Sequence, residues 1–483
     1  MKSEDLGKKV TRGLVWSGLE SFGGAALTIA TTMILARVIT PEDYGLLAVL
    51  QIFVAVGLLL VESGFSTALI RLGNRTRRHE STTLAINLTV SLVIYAAIFL
   101  SAPLIAEFYG NTRLTDICRV YALVIPLNAL CVVQHSRLSA SMRFGSIFLA
   151  TGIAMVLSSV VAIVMAFHNA GVRALVAQQL VMWSTRAIIL WALQWRSPIL
   201  PFFYRKEAAE LFGFGWKLLV SSIIAKVSAG VYSMVIGRVF SVYEAGLFSK
   251  SSTLASFPAQ NGTDALQRVS FPALCRLIDD PLRLADAVRK IMSLATWILI
   301  PFMLTLAALG SQAVAVLLGS QWKEADSYFS IICIGYSLYP IHSINLNILN
   351  VFGRSDLFLR LEIAKALLSL ALIIAGIYLD GVRGLCVAFA IDSFLCIFIN
   401  AFYSGRFSGV KVKAQLNILF PIFAIGCISA CSAYFASCLS DVPLWSLIIG
   451  VAVASVVCIA STKIVKPQYI SLLKQALQQL KHK

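Results

Sequence analysis

Charge is scarce in this 483-residue chain: 13% of residues are Asp, Glu, Lys or Arg, about half the usual share of a soluble domain. With 58% hydrophobic residues, polar groups are too few to cover a surface facing water, which excludes a soluble globular protein. No G-x-x-x-x-G-K-[ST] occurs, so ATP hydrolysis by a P-loop is excluded too. The five histidines are scattered and no His/Cys/Asp/Glu cluster has ligand spacing, so neither a metal nor another cofactor is expected. Ten cysteines form no CxxC and lie mostly in apolar runs as small fillers; no disulfide is indicated, and Cys438 reads as a free thiol near a helix end. No loop is long enough to fold alone or to carry paired carboxylates or a nucleophile with its base. Catalysis is therefore not expected.

What the chain has is long apolar runs. A membrane span needs about 20 mainly apolar residues, and fourteen candidates follow one another from 13–36 to 444–462. The fourth (117–136), eighth (247–267) and tenth (327–349) carry Asn, Gln, Ser or His, residues that mark helix packing or a water-filled path. The opening, MKSEDLGKKVTRG, is charged and the next apolar run lacks a cleavage site, so a retained first helix is expected. With the amino terminus inside, 28 of the 40 Lys and Arg fall in inner segments and only six in outer loops. That asymmetry predicts both termini in the cytoplasm. It also assigns the net charge of +17 to orientation and attraction to anionic lipid, not to nucleic acid.

The chain also repeats itself. Trp16 returns as Trp216, Arg37-Val38 as Arg238-Val239, and Gly45-Leu46 as Gly246-Leu247, while Thr40-x-x-Asp43 returns as Ser241-x-x-Glu244. Ala68-Leu69-Ile70-Arg71 is echoed by Ala265-Leu266-Gln267-Arg268. An even number of spans separates the copies, so they are parallel repeats about an axis along the membrane normal. The expected organisation is an all-α integral membrane protein with a six-helix lobe at 1–200, a linker helix at 201–212 and a second lobe at 213–405. Helices 13 and 14 follow in 406–465, then an amphipathic tail at 466–483 that lies on the inner surface. A second interfacial helix is expected over Asp280–Lys290, with Asp280 as cap and Pro281 at its first position. Asp43 and Glu244 are expected to close capping boxes.

A charge at the centre of a span costs about 2.5–3.5 kcal/mol and needs a reason. Lys217 and Arg119 sit near helix ends and can snorkel, Lys365 has Glu362 three residues away, and Lys250 starts its helix. Lys226 and Arg186 have no such excuse. Ser222, Ala229 and Ser233 share a helical face with Lys226, a small and polar stripe suited to a cavity; pairing with Glu20 is the alternative. Glu20 is a candidate ion site or charge balance. Glu62 and Asp264 stand at matching depths in equivalent helices, as an inner gate or as snorkelling acids, and Asp392 lies mid-span with no evident partner.

The repeated [GA]-R-V-[IF]-[TS]-x-x-[ED]-x-G-L loop, the two six-helix halves and the basic first inner loop resemble the polysaccharide-transport branch of the MOP exporter superfamily, the Wzx-type flippases. The resemblance covers the whole chain and is most specific over Ala36–Leu47. It implies a V-shaped bundle with a central cavity that moves an undecaprenyl-diphosphate-linked oligosaccharide from the inner to the outer leaflet of the bacterial inner membrane. Lys226 and Arg186, with Lys250 and Lys217, would supply a cationic cavity for the diphosphate. Glu20, Glu62 and Asp264 would balance charge or bind a coupling cation, and polysaccharide polymerase machinery would be a partner. Relatives that flip lipid II carry arginines in the first two helices, where this chain has Glu20 and Glu62, which counts against that substrate. A MATE-like drug exporter, with Glu20 as cation site, is disfavoured by the excess of basic residues within the spans. A membrane glycosyltransferase is disfavoured by the short outer loops.

Overall fold

In hydrocarbon a backbone N–H has no water to turn to, so an apolar chain closes its hydrogen bonds along itself. Every regular element among the described residues of the computed structural model is accordingly helical. The structure describes residues 23–62, 76–141 and 143–465, without the side chains of 210–221, 225, 229, 269, 272 and 355. Glu20, Trp16, the first basic loop, the Ala68–Arg71 echo and the tail 466–483 lie outside the described residues. Ten helical stretches there are long and apolar enough to cross a membrane, and Gly23–Val38 is a shorter apolar one. The chain is an all-α multi-pass membrane protein.

Two compact units divide it, residues 1–246 and 247–483. In the first, α1 (Gly23–Val38), α2 (Pro41–Glu62), α3 (Arg77–Tyr109), α4 (Arg113–Tyr121), α5 (Val124–Ala140), α6 (Phe144–Phe167), α7 (Val172–Ala192) and α8 (Arg205–Val239) follow in order. The division by packing falls one helix beyond the division by repeat, and glycines explain why. Gly230 and Gly237, two turns apart on α8, leave gaps filled by Ile52 and Val49 of α2. Helix α9 (Val242–Cys275) crosses the boundary. The second unit continues with α10 (Pro281–Ala308), α11 (Gly310–Leu317), α12 (Ala325–Tyr336), α13 (Tyr339–Val351), α14 (Ser355–Ser408), α15 (Val412–Ser437) and α16 (Pro443–Val465). Its core is α10 against α13 and α15, with Val288, Met292, Ile300, Ile344, Ile348 and Ile422 buried together.

Several boundaries differ from the sequence expectation. The two short interfacial helices are not separate: 205–211 continues into the seventh span as α8, and Asp280–Lys290 opens α10 and runs on into the ninth. Nothing in either stretch breaks a helix, so hydrogen bonding propagates through them. Conversely, the fourth and tenth spans are broken. Pro126 crowds the carbonyl four residues back and lacks an N–H, and the break falls at Ala122–Leu123; Pro340 does the same at Ser337–Leu338. The ninth is interrupted at Leu309, where Gly310 packs against Ser330. The eleventh and twelfth form a hairpin, kinked at Asp380 and Gly381 inside α14.

The N-cap side chain of each cap read from the sequence accepts its backbone N–H. Thr40 Oγ1 accepts from Asp43 N at 3.3 Å, Ser241 Oγ from Glu244 N at 3.1 Å, and Asp280 Oδ1 from Arg283 N at 3.1 Å. The Asp43 carboxylate itself pairs with Arg113 at 3.2 Å. The two repeat loops also meet each other within the first unit. Gly45 lies against the backbone carbonyl of Val242, and Gly246 against that of Pro41, the residue equivalent to Val242. One duplicated loop therefore packs on the other through matching residues.

A further echo emerges from the backbone. Gly171 and Gly381 share the same strained conformation, φ 55° with ψ −130° and −131°, open to glycine but not to L side chains. Each begins a G-V-R-[AG]-L run, at 171–175 and 381–385, in the hairpins of the fifth and sixth and of the eleventh and twelfth spans. In both runs Val and Leu are buried and Arg is exposed.

Candidate functional site

Arg186 sits in the carboxy-terminal half of α7, a helix with no other ionisable side chain after Arg173. Its guanidinium lies over the Trp183 ring at 5.4 Å and within electrostatic reach of Cys131 and His135 on α5. Its Nε is buried and has no hydrogen-bond partner among the described residues. The surrounding wall is apolar: Cys131, Ile147, Ala150, Ala187 and Leu190 pack into one cluster. A buried, unmatched N–H beside an aromatic face is costly unless an acceptor arrives. A planar guanidinium is suited to an anionic oxygen.

Lys226, on α8, is exposed, flanked by half-buried Ser222 and Ser233. The side chains of Ala229 and Lys217 are outside the described set, as is the whole of Glu20, so pairing of Lys226 with Glu20 is not described. Lys250 lies on α9 in the second unit, half-buried. Glu62, the last described residue of α2, is exposed and accepts from Asn128 Nδ2 at 3.4 Å. Asp264 is exposed on α9 of the second unit. Arg186, Lys226 and Glu62 thus belong to the first unit, and Lys250 and Asp264 to the second.

Sequence reasoning overlooked one constellation. In the second unit Lys365 pairs with Glu362, as their spacing predicts, with side chains 17% and 10% exposed. Asp392, without a partner in the sequence reading, accepts from Ser369 Oγ at 2.9 Å and lies 3.8 Å from Cys396 Sγ. His342 Nε2 is 3.2 Å from Ser393 Oγ, and its Nδ1 is 3.0 Å from Asn400 Nδ2. Asn345, Ser404 and Gln415 close a second knot: Asn345 Nδ2 donates to Gln415 Oε1 at 2.9 Å and Ser404 Oγ donates to Asn345 Oδ1 at 2.6 Å. The polar residues of the tenth span were the signal. Such networks bind helices where no water competes.

Helices in this order and packing define a class by fold, one that also holds solved membrane transporters of the MOP superfamily. Two solved structures share the fold. The lipid II flippase MurJ, in an inward closed conformation, superposes with a TM-score of 0.79 over 95% of this chain and 100% of its own, at 13% identity. An inward-facing multidrug resistance MATE transporter of that superfamily gives 0.63 over 80% and 94%, at 14% identity. Within that class the chain belongs to the polysaccharide biosynthesis protein family, whose model matches residues 34–327. The succinoglycan biosynthesis transport protein ExoT of Rhizobium meliloti is 30% identical over 319 residues, 66% of this chain and 64% of ExoT. The lipopolysaccharide biosynthesis protein WzxC of Escherichia coli is 22% identical over 82% of this chain and 81% of its own length. The chain thus spans slightly less than two thirds of ExoT.

Proposed function

We propose that this protein is a flippase. It carries an undecaprenyl-diphosphate-linked oligosaccharide from the inner to the outer leaflet of the bacterial inner membrane by alternating access, without catalysis, with both termini in the cytoplasm. The observation that carries the reading is Arg186, whose buried Nε has no acceptor among the described residues. In a family that serves polysaccharide biosynthesis, the acceptor this donor suits is a phosphate oxygen. Lys226 is the second contact, while Lys250 and Lys217 add positive charge; Glu20 balances Lys226 or holds a coupling cation, and Glu62 and Asp264 gate the inner side. With the interior negative, outward movement of the anion is downhill by about 2.3 kcal/mol per charge per 100 mV, so two charges are driven without ATP. Handover to polymerase machinery follows on the outer side.

Deletion of the gene tests this. Undecaprenyl-linked glycan should accumulate on the inner leaflet, and an Arg186→Ala or Lys226→Ala chain should fail to clear it. Normal surface polysaccharide and normal lipid-linked intermediates in both variants would remove the assignment.

A further inference from the structure

A second basic site lies away from Arg186, at the end of the first unit that the loop charges assign to the cytoplasm. A cavity of about 500 Å³ opens there among the start of α3, the end of α5 and the turn following α7; Glu80, Arg137, Arg143, Trp195, Arg196 and Ser197 are in its wall. Its floor is fixed and nearly neutral. Arg137 Nε meets Glu80 Oε2 at 3.3 Å, both side chains almost buried, and Arg137 Nη1 donates to Gln134 Oε1 and the Ser197 carbonyl, each at 3.1 Å. Ser197 Oγ accepts from Arg137 Nη2 at 3.0 Å and from Arg77 Nη2 at 3.2 Å. Among the described residues of the wall Glu80 is the only carboxylate, and Arg137 pairs with it. The charge that remains in the wall belongs to Arg143 and Arg196, both exposed, with no ion-pair partner among the described residues; Arg77, held on Ser197, adds a third guanidinium at the edge. Arg196 stacks on Trp195 at 5.5 Å.

Beside the cavity runs an apolar strip. Trp195 is 71% exposed, Leu200 63%, Phe202 57% and Phe203 63%. The strip is tied in place: Ser81 Oγ donates to the Leu200 carbonyl at 2.5 Å and accepts from Phe202 N at 2.9 Å, and Tyr204 N donates to Thr82 Oγ1 at 3.2 Å. A soluble anion has no use for such a strip, whereas an amphiphile uses both parts. Two unanswered guanidiniums match a dianionic head, and forked donors suit adjoining phosphates.

We infer that this cavity is a capture site for a diphosphate lipid in the inner leaflet: the head sits between Arg143 and Arg196 and the chain leaves over Leu200, Phe202 and Phe203. The inference rests on the flippase reading and adds to it a docking step that precedes translocation. Phosphate–guanidinium hydrogen bonds hold the head; no bond is made or broken.

The test uses the full chain in phosphatidylcholine nanodiscs, titrated with undecaprenyl diphosphate, with inorganic pyrophosphate and with cardiolipin. An Arg143→Ala/Arg196→Ala chain should lose about tenfold or more in affinity for the diphosphate lipid. An Arg143→Lys/Arg196→Lys chain with the wild-type melting temperature should keep part of it, and cardiolipin binding should change less. Undiminished binding by the alanine variant would overturn the site. So would an equal loss for cardiolipin, which marks a general anionic-lipid patch, or pyrophosphate binding as tight as that of the lipid. If the alanine variant binds and transports like the wild type, the site falls and the flippase reading stands. If the wild type transports no lipid-linked glycan, the flippase reading falls, and this site with it.

Discussion

A guanidinium and an ammonium carry the same charge, yet at position 186 they should not be interchangeable. The Nε–H is the buried donor without an acceptor, and lysine has no equivalent of a planar fork. Arg186→Lys should therefore restore only a minority of the polysaccharide lost in Arg186→Ala, measured as surface glycan per cell at matched protein level. Equal recovery would mean that charge alone matters there. The Glu362–Lys365 pair obeys a different logic. Its side chains are nearly buried, so Lys365→Met strands a carboxylate and should cost about 3 kcal/mol or more. The double variant Glu362→Gln/Lys365→Met should recover most of that loss in thermal melts of purified protein. These two sites differed in legibility. The pair was plain from an i, i+3 spacing, whereas Asp392 seemed isolated because Ser369 comes to it only across the α14 hairpin, and Cys396, one turn further on, reads as a small apolar filler.

Helices and the turns between them set the next scale. The kink within α14 depends on Gly381, and just before it the carbonyl of Gly376 lies against Gly384 across the hairpin. Gly381→Ala should cost about 1–3 kcal/mol from backbone strain alone, and Gly171→Ala, in the matching hairpin, a similar amount. Both are read by melting temperature; a large loss at one position and none at the other would deny that the hairpins are equivalent. The matching G-V-R runs were there in the sequence. They went unread because hydropathy locates a span but says nothing about a turn of glycine-only dihedrals. Helix ends followed the same pattern: a capping Asp280 beside Pro281 fixes a start in any context, while the continuity of α8 and α10 depends on the absence of a breaker. Pro126 and Pro340 carried the opposite signal, overridden in the reading by the length of the apolar runs around them.

At the scale of the whole molecule the test is topological. Cys438 is exposed and carries a free thiol just past α15, in a loop that the charge asymmetry places outside. A membrane-impermeant maleimide should label it in intact spheroplasts, and Cys438→Ser should abolish most of the signal. Cys427 and Cys431, exposed on the apolar body of α15, should stay unlabelled because lipid does not support the thiolate. Labelling of Cys438 only after lysis would reverse the orientation and move the capture site to the opposite face. The overall class was legible because a bilayer tolerates so few solutions. Where substrate meets protein was less so, since a cation that binds ligand and one that orients a loop are the same letter. At the seam of the duplicated loops, Gly45 rests on Val242 and Gly246 on Pro41. A methyl group gained by either copy would strike the main chain of its twin, where no rotamer change can make room. Genes that double usually drift apart; here each loop is the mould in which the other was cast, and neither is at liberty to change its shape alone.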